Sequence, residues 1–388
     1  MKILIITPGY GVVPDYHGGA VEKLVQTLVD QNEKKGKFEF DVISVDDGLK
    51  FDVSKYKRTN YYYINNKNIF YSVDKLFRAI VNKLPNVYIG NAYIHHTVKK
   101  LKCLNCDEYD CVIIENNPLY ILKIKNLFKC PIYLHLHNDR LNISSKMCEK
   151  IYKLYYKIIT VSNFLNYRVE EIGKLGKTIT LYNGIDTSVF ANKNIYKIEK
   201  LKKDLNISNE KVILYTGRIL KIKGVLPMIN VFNKINLLNK NIKLLIIGDV
   251  SNTKNTYVKK VIDAASNNKN IILKGYVPNE EIGSYYQLSD IQIVPSICNE
   301  ALGNTAIEGI ASGLLVVVSN RGGLPEIVSE NNGFVFDIEN FEGNLLFLLK
   351  KLIENYDLYE NIRENAKTSS LKFDKSNYFE NFEKIVSR

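Results

Sequence analysis

The sequence predicts an α/β protein made of two doubly wound parallel sheets, and three observations lead there. Short apolar runs of strand length alternate with amphipathic helical stretches. The alternation pauses around Asn183-Gly184-Ile185-Asp186 and restarts at Lys211. Glycine-rich turns stand where several runs end. With 388 residues the chain has length for two domains, each with its own core.

The elements follow in order. In the first half Lys2–Thr7 reads as strand, Gly19–Gln31 as helix, and Phe38–Val45 as strand. Cys111–Glu115 is strand, Pro118–Leu127 helix, and Ile132–Leu136 and Ile158–Val161 strands. In the second half Val212–Thr216, Leu244–Gly248, Ile271–Lys274, Ile291–Pro295 and Leu315–Ser319 read as strands with helices between them. The expected domains are Rossmann-like, 1–186 and 187–372, with residues 373–388 as a closing segment whose helix runs from Ser376 to Ser387.

Composition narrows the class. Hydrophobic residues are 46% and charged residues 24%, ordinary for a soluble globular chain. No apolar run approaches the ~18 residues of a spanning helix. The segment Met1–Pro8 has too short an apolar core for a signal peptide, so it reads as a buried first strand and the protein as cytoplasmic. Cys103, Cys106 and Cys111 raise the question of zinc, but a fourth ligand at comparable spacing is missing and Cys111 opens a strand. The six cysteines read as free thiols, with no metal expected.

Net charge is +12, and it is uneven. Residues 55–102 hold ten basic side chains against one acid, Asp74. Within them Leu76, Phe77, Ile80, Val81 and Leu84 recur at helical spacing, flanked by Lys75, Arg78 and Lys83. Such a stretch is either a packed helix with a solvated basic rim or a surface for an anionic membrane or lipid-linked acceptor. The second reading would place the protein peripherally on the inner face of a membrane.

The most informative stretch is Asn299–Gly313, NEALGNTAIEGIASG. Glu300 and Glu308 stand eight positions apart, in a strand–loop–helix pattern with a helix over Thr305–Ser312 closed by Gly313. Gly303 and Asn304 fall at the helix N-terminus, where backbone N–H groups and the helix dipole suit a phosphate. Glu300 lies just before the helix and Glu308 one turn inside it, so both can face one ligand and grip sugar hydroxyls beside a diphosphate. The bland alternative is a surface helix with two solvated glutamates. Further on, Arg321-Gly322-Gly323-Leu324-Pro325-Glu326-Ile327 is a second glycine-rich turn. Upstream, Gly217-Arg218 and Lys223-Gly224 follow a strand and offer a planar fork of donors and a point charge. Gly248-Asp249 and Gly275-Tyr276-Val277 end the next strands. In the first half, Gly18-Gly19 precedes a helix, and His135, His137 and Asp139 lie at the end of a strand, as do Glu115, Asn116 and Asn117. A lone histidine at such a place is more often a packed residue than a functional one.

These residues together resemble the retaining glycosyltransferases of family 4, with their Glu-x7-Glu motif and GT-B architecture of two facing Rossmann-like domains. The resemblance covers nearly the whole chain. It implies that Glu308 holds the ribose and Glu300 the donor sugar, near its C3 and C4 hydroxyls. Backbone of Leu302, Gly303 and Asn304, with Thr305, would orient sugar and phosphates, and Arg218 and Lys223 would stabilise the departing diphosphate. Gly18, Gly19, Gly217 and Gly248 would line the donor site, and Tyr276 and Val277 would receive the base. His137 would sit near the transferred sugar, with His135 as second choice, and Asp139, Asn116 and Asn117 would lie on the acceptor side. The last helix would cross back to the first domain.

No P-loop, Asp-x-Asp or Gly-x-Ser-x-Gly motif occurs. The implied enzyme is metal-independent, needs no cofactor, and moves a hexose or N-acetylhexosamine from a UDP-linked donor to a hydroxyl of a glycan or glycolipid, as in bacterial surface polysaccharide assembly. Two rivals are a GT-B sugar-nucleotide epimerase, which needs no acceptor, and a basic nucleic-acid-binding protein. The latter leaves the two glutamates unexplained, so nucleic acid is not an expected partner.

Overall fold

In the computed structural model, which describes residues 1–14, 19–48, 51–65, 81, 82, 84 and 87–387, the strands assemble into two separate parallel sheets. Of the sequence expectations, Gly18 and most of the apolar–basic stretch (Lys67, Lys75–Ile80 and Lys83) lie outside the described residues.

The first unit comprises Met1–Gly184 together with Lys375–Arg388. Its strands are β1 (Lys2–Ile6), β2 (Glu39–Val45), β3 (Thr59–Ile64), β4 (Cys111–Glu115), β5 (Ile132–Leu136), β6 (Lys157–Thr160) and β7 (Thr178–Thr180), in the order β3-β2-β1-β4-β5-β6-β7. Central strands β1 and β4 are covered on both faces, hence their unbroken apolar runs, Ile3–Ile6 and Cys111–Ile114. On one face Leu24 and Leu28 of the helix Ala20–Lys35 pack with Phe38, Phe40, Phe379 and Phe382. The last two come from the helix Lys375–Val386. On the other face Tyr93, Tyr120, Ile121 and Tyr152 cover Leu4, Ile114 and Leu134.

The second unit is Ile185–Asp374. Strands β8 (Lys211–Thr216), β9 (Ile242–Ile247), β10 (Ile271–Gly275), β11 (Ile291–Val294), β12 (Leu315–Ser319) and β13 (Phe334–Phe336) lie in the order β10-β9-β8-β11-β12-β13. The order reverses between β8 and β11, so the loops after those two strands open side by side, where open α/β sheets take ligands.

The helix Asn304–Ala311 bridges β11 and β12. It starts one residue earlier than the sequence suggests, and Gly313, at φ +72, lets the chain turn away. Gly309 sets its depth, because a Cβ there would lie 1.8 Å from the side-chain oxygen of Gln292 on β11.

Strands β3, β7 and β13 escape the sequence reading, being polar or only three residues long. Pro118–Leu127, expected as one helix, is a single α turn, Ile121–Ile124, between two tighter turns. The first forms as Tyr120 N–H donates to the Asn117 carbonyl at 3.2 Å. Among the described residues no helix is long and apolar enough to cross a membrane.

Candidate functional site

The two carboxylates of the Glu-x7-Glu segment are held by different devices. Glu300 is fixed first through its backbone. It forms a parallel bridge with Gly322, and Gly323 N–H donates to the Glu300 carbonyl at 2.8 Å. Gly322 sits at φ +62, and a Cβ there would lie 2.1 Å from that carbonyl oxygen, so only glycine admits the contact. The second glycine-rich turn thus braces the first.

The Glu300 carboxylate pairs with Lys223 and accepts from the Ser296 hydroxyl, and the side chains of Lys223 and Glu300 are each 17% exposed. Lys223 reaches it because Ile297 N–H donates to the Ile222 carbonyl at 2.8 Å, tying the loop after β8 to the loop after β11. Gly224, at φ +70, makes the approach possible, since a Cβ would meet the Pro295 carbonyl oxygen at 2.0 Å. A cation, a carboxylate and a hydroxyl therefore converge within one loop pair, just ahead of a helix N-terminus.

Glu308 is half-buried one turn inside that helix, and its Oε2 lies 2.6 Å from the Tyr286 hydroxyl. Leu302 is buried, whereas Gly303, Asn304 and Thr305 are only partly covered. Gly303, at φ +111, begins the helix, and Ala306 N–H donates back to its carbonyl at 2.9 Å. Arg218 is exposed at the end of β8, its carbonyl accepting from the Tyr215 hydroxyl at 2.9 Å. Gly217 and Gly248 are pressed together, a Cβ on Gly248 falling 2.2 Å from the Gly217 carbonyl oxygen. After β10, Tyr276 is 70% exposed and Val277 is buried. Sequence reasoning passed over Ser296 and Tyr286. Ser296 carried a faint signal, two residues past β11; Tyr286 carried none, sitting inside an ordinary helix.

In the first unit, parallel pairing sets Glu115 of β4 beside His135 of β5, and His137 follows at the strand end. Glu115 Oε2 lies 2.7 Å from His137 Nε2 and 3.2 Å from His135 Nδ1, with all three groups buried. An ionised carboxylate only accepts, so these ring nitrogens carry the protons. His137 N–H also donates to the Asn116 side chain at 3.1 Å, with Asn116 in the left-handed region at φ 52. The ligand atoms of this triad lie within 4.8 Å of one another, so it is the group among the described residues that could hold a metal. At 2.7 Å, however, the His137–Glu115 contact is already a complete hydrogen bond.

Asp139 is taken up by Arg168 at 3.1 Å and by Asn142 at 3.0 Å. Asn117 lines a pocket of about 400 Å³ with Tyr10, Tyr88, Asn91 and Arg140. Gly19 caps its helix with the Glu22 carboxylate folded over it, and a Cβ on Gly19 would lie 2.4 Å from Glu22 Oε2.

Burial pulls the His137 imidazole down to about 4, aided by repulsion from His135 and only partly opposed by Glu115. Burial would raise the Glu115 carboxyl, but the two histidines outweigh it and bring it to about 2. As pH falls, the unfolded chain takes up each proton before the folded one, so both groups make stability fall with pH. The His137 contribution is lost between pH 6.5 and about 4, and the Glu115 contribution from pH 4.5 down to about 2. His137→Gln should therefore flatten stability between pH 6.5 and 4, removing a slope of up to ~1.4 kcal/mol per pH unit. Urea midpoints at pH 7, 6 and 5 check this; equal slopes in variant and wild type would refute it.

Residues 197–369 match the family model described as glycosyl transferases group 1. Spore coat protein SA of Bacillus subtilis is 25% identical over 88% of this chain and 87% of its own length. A lipopolysaccharide 1,2-N-acetylglucosaminetransferase of Salmonella typhimurium is 33% identical over 44% of this chain and 46% of its own. Among solved structures, Anabaena HepE in complex with UDP and glucose superposes with a TM-score of 0.76 over 100% of this chain and 99% of that one, at 19% identity. That likeness identifies the GT-B fold.

Proposed function

The chain carries a glycosyl transferase group 1 domain at residues 197–369, and from that premise we propose a retaining, metal-independent glycosyltransferase. It moves a hexose or N-acetylhexosamine from a UDP-sugar to a hydroxyl of a glycan or glycolipid, in surface polysaccharide or glycoconjugate assembly. The observation that carries the reading is the convergence of Lys223, Ser296 and Glu300 ahead of the helix that bears Glu308. The UDP bound by the structural neighbour and the lipopolysaccharide named for one relative support the donor and acceptor classes.

In this mechanism Glu300 accepts from hydroxyls of the donor sugar, and Glu308 from those of the ribose. The bond between sugar C1 and the diphosphate oxygen breaks, its electrons passing to the phosphate. Lys223 and Arg218 stabilise that charge, and the N-terminal backbone of the helix Asn304–Ala311 adds to it. The acceptor oxygen bonds C1 from the same face and gives its proton to the departing phosphate oxygen. Protein cations thus do the neutralising that a divalent ion does elsewhere.

A thermal-shift panel of nucleotide sugars identifies the donor, and UDP release is then followed with and without acceptor. Release should require acceptor and continue within about twofold in EDTA, because fixed side chains carry the charge. Loss that Mg²⁺ restores would overturn metal independence. UDP-sugar interconversion without acceptor would favour the epimerase.

A further inference from the structure

Tyr286 belongs to none of the motifs, yet its hydroxyl joins three elements, β8, β11 and the helix Asn304–Ala311. Its ring is fully buried and meets Phe190 edge-on, with centroids 5.3 Å apart. Its hydroxyl lies 2.6 Å from Glu308 Oε2 and 2.6 Å from Thr216 Oγ1 at the end of β8. Gln292 of β11 approaches the same hydroxyl at 3.4 Å while donating to the Thr305 carbonyl at 2.9 Å.

Proton counting fixes the direction of this chain. The phenol has one proton and an ionised carboxylate has none, so Tyr286 donates to Glu308 and accepts from Thr216. Burial, reinforced by the Glu308 charge, raises the phenol well above its ordinary range, which keeps it a donor. A glutamate on a helix has three side-chain torsions to order before it can grip a diol. Here a donor anchored in the core orders them during folding, which spares binding that entropy.

We propose that Tyr286 is the positioning residue for nucleotide recognition: it sets the Glu308 carboxylate in the orientation that accepts from the ribose hydroxyls, and so makes the site select ribonucleotides. This rests on the reading of Glu308 as the ribose-binding carboxylate.

The test compares Kd for UDP and for 2′,3′-dideoxy-UDP by calorimetry. Wild type should prefer UDP by about tenfold or more, as charge-assisted hydrogen bonds require. Glu308→Ala should bring the preference to within about twofold of unity. Tyr286→Phe should lower the preference at least about threefold, with affinity for the dideoxy nucleotide held within about twofold, since the bonds lost are those to the ribose.

Thr216→Val breaks the same chain on the far side of the phenol and should keep the wild-type preference. Tyr286→Phe/Thr216→Val leaves no hydroxyl stranded, so it tests the idea even if the single variant folds poorly, and it should match Tyr286→Phe. Wild-type preference in both Tyr286 variants, or equal weakening for the two nucleotides, overturns the assignment of Tyr286. Preference retained in Glu308→Ala, or no binding of either nucleotide by wild type, overturns the ribose reading instead.

Discussion

Glu300→Gln is expected to cut turnover by about 10²–10³-fold, with the unfolding midpoint almost unmoved. The two effects separate because the loop does not depend on the carboxylate. Its main chain is held by Gly322 and Gly323, and an amide still accepts from Lys223 and Ser296. In the proposed mechanism what is lost is the negative charge facing the donor sugar, whose contribution would be greatest as positive charge develops at the reacting carbon. Steady-state kinetics beside a urea melt measures both, and turnover within twofold of wild type would remove Glu300 from the reaction.

Lys223→Ala should cost about 2–4 kcal/mol of transition-state stabilisation as read from kcat/KM, the range found when a preorganised charge-stabilising group is removed. Arg218→Ala should fall in the same range. Lys223 differs from Arg218 in having Glu300 as its partner. The double variant Lys223→Ala/Glu300→Gln should therefore lose less than the two single losses combined, by about 0.5–3 kcal/mol, as residues in contact do. Full additivity would show that the two side chains act separately. An effect below threefold for Lys223→Ala would remove it from the leaving-group site.

Much of this was legible because particular residues have few alternatives. The run Ile3–Ile6 is apolar on both faces, which in a short segment bounded by turns means a strand buried in a parallel sheet. Glu300 and Glu308 were visible because a glycine and a helix start lie between them. What could not be read was pairing across distance. Nothing at Ser296 or Tyr286 announces which carboxylate each will meet, since that follows from strand order rather than spacing. Likewise His137 looks like a lone histidine until β4 and β5 pair, and Glu115 then turns out to be its hydrogen-bond partner. Short strands such as β13 lack the length for a period, and only the sheet defines them.

The division of the chain has a consequence for how it is made. The helix Lys375–Val386 contributes Phe379 and Phe382 to the first unit, where they meet the Phe38 ring tilted and edge-on, with centroids at 5.9 and 6.2 Å. Gly184 closes against the same helix, leaving no room for a Cβ beside Tyr378. The intervening residues form a unit complete in itself. A ribosome therefore releases the first sheet with one apolar face covered by the helix Ala20–Lys35 but not yet by the helix Lys375–Val386, and holds it so while the whole nested unit emerges. That unit can finish folding first. The helix Lys375–Val386 then acts as the latch of a sheet made before the nested unit, and until it arrives a chaperone has access to a surface that the folded unit covers.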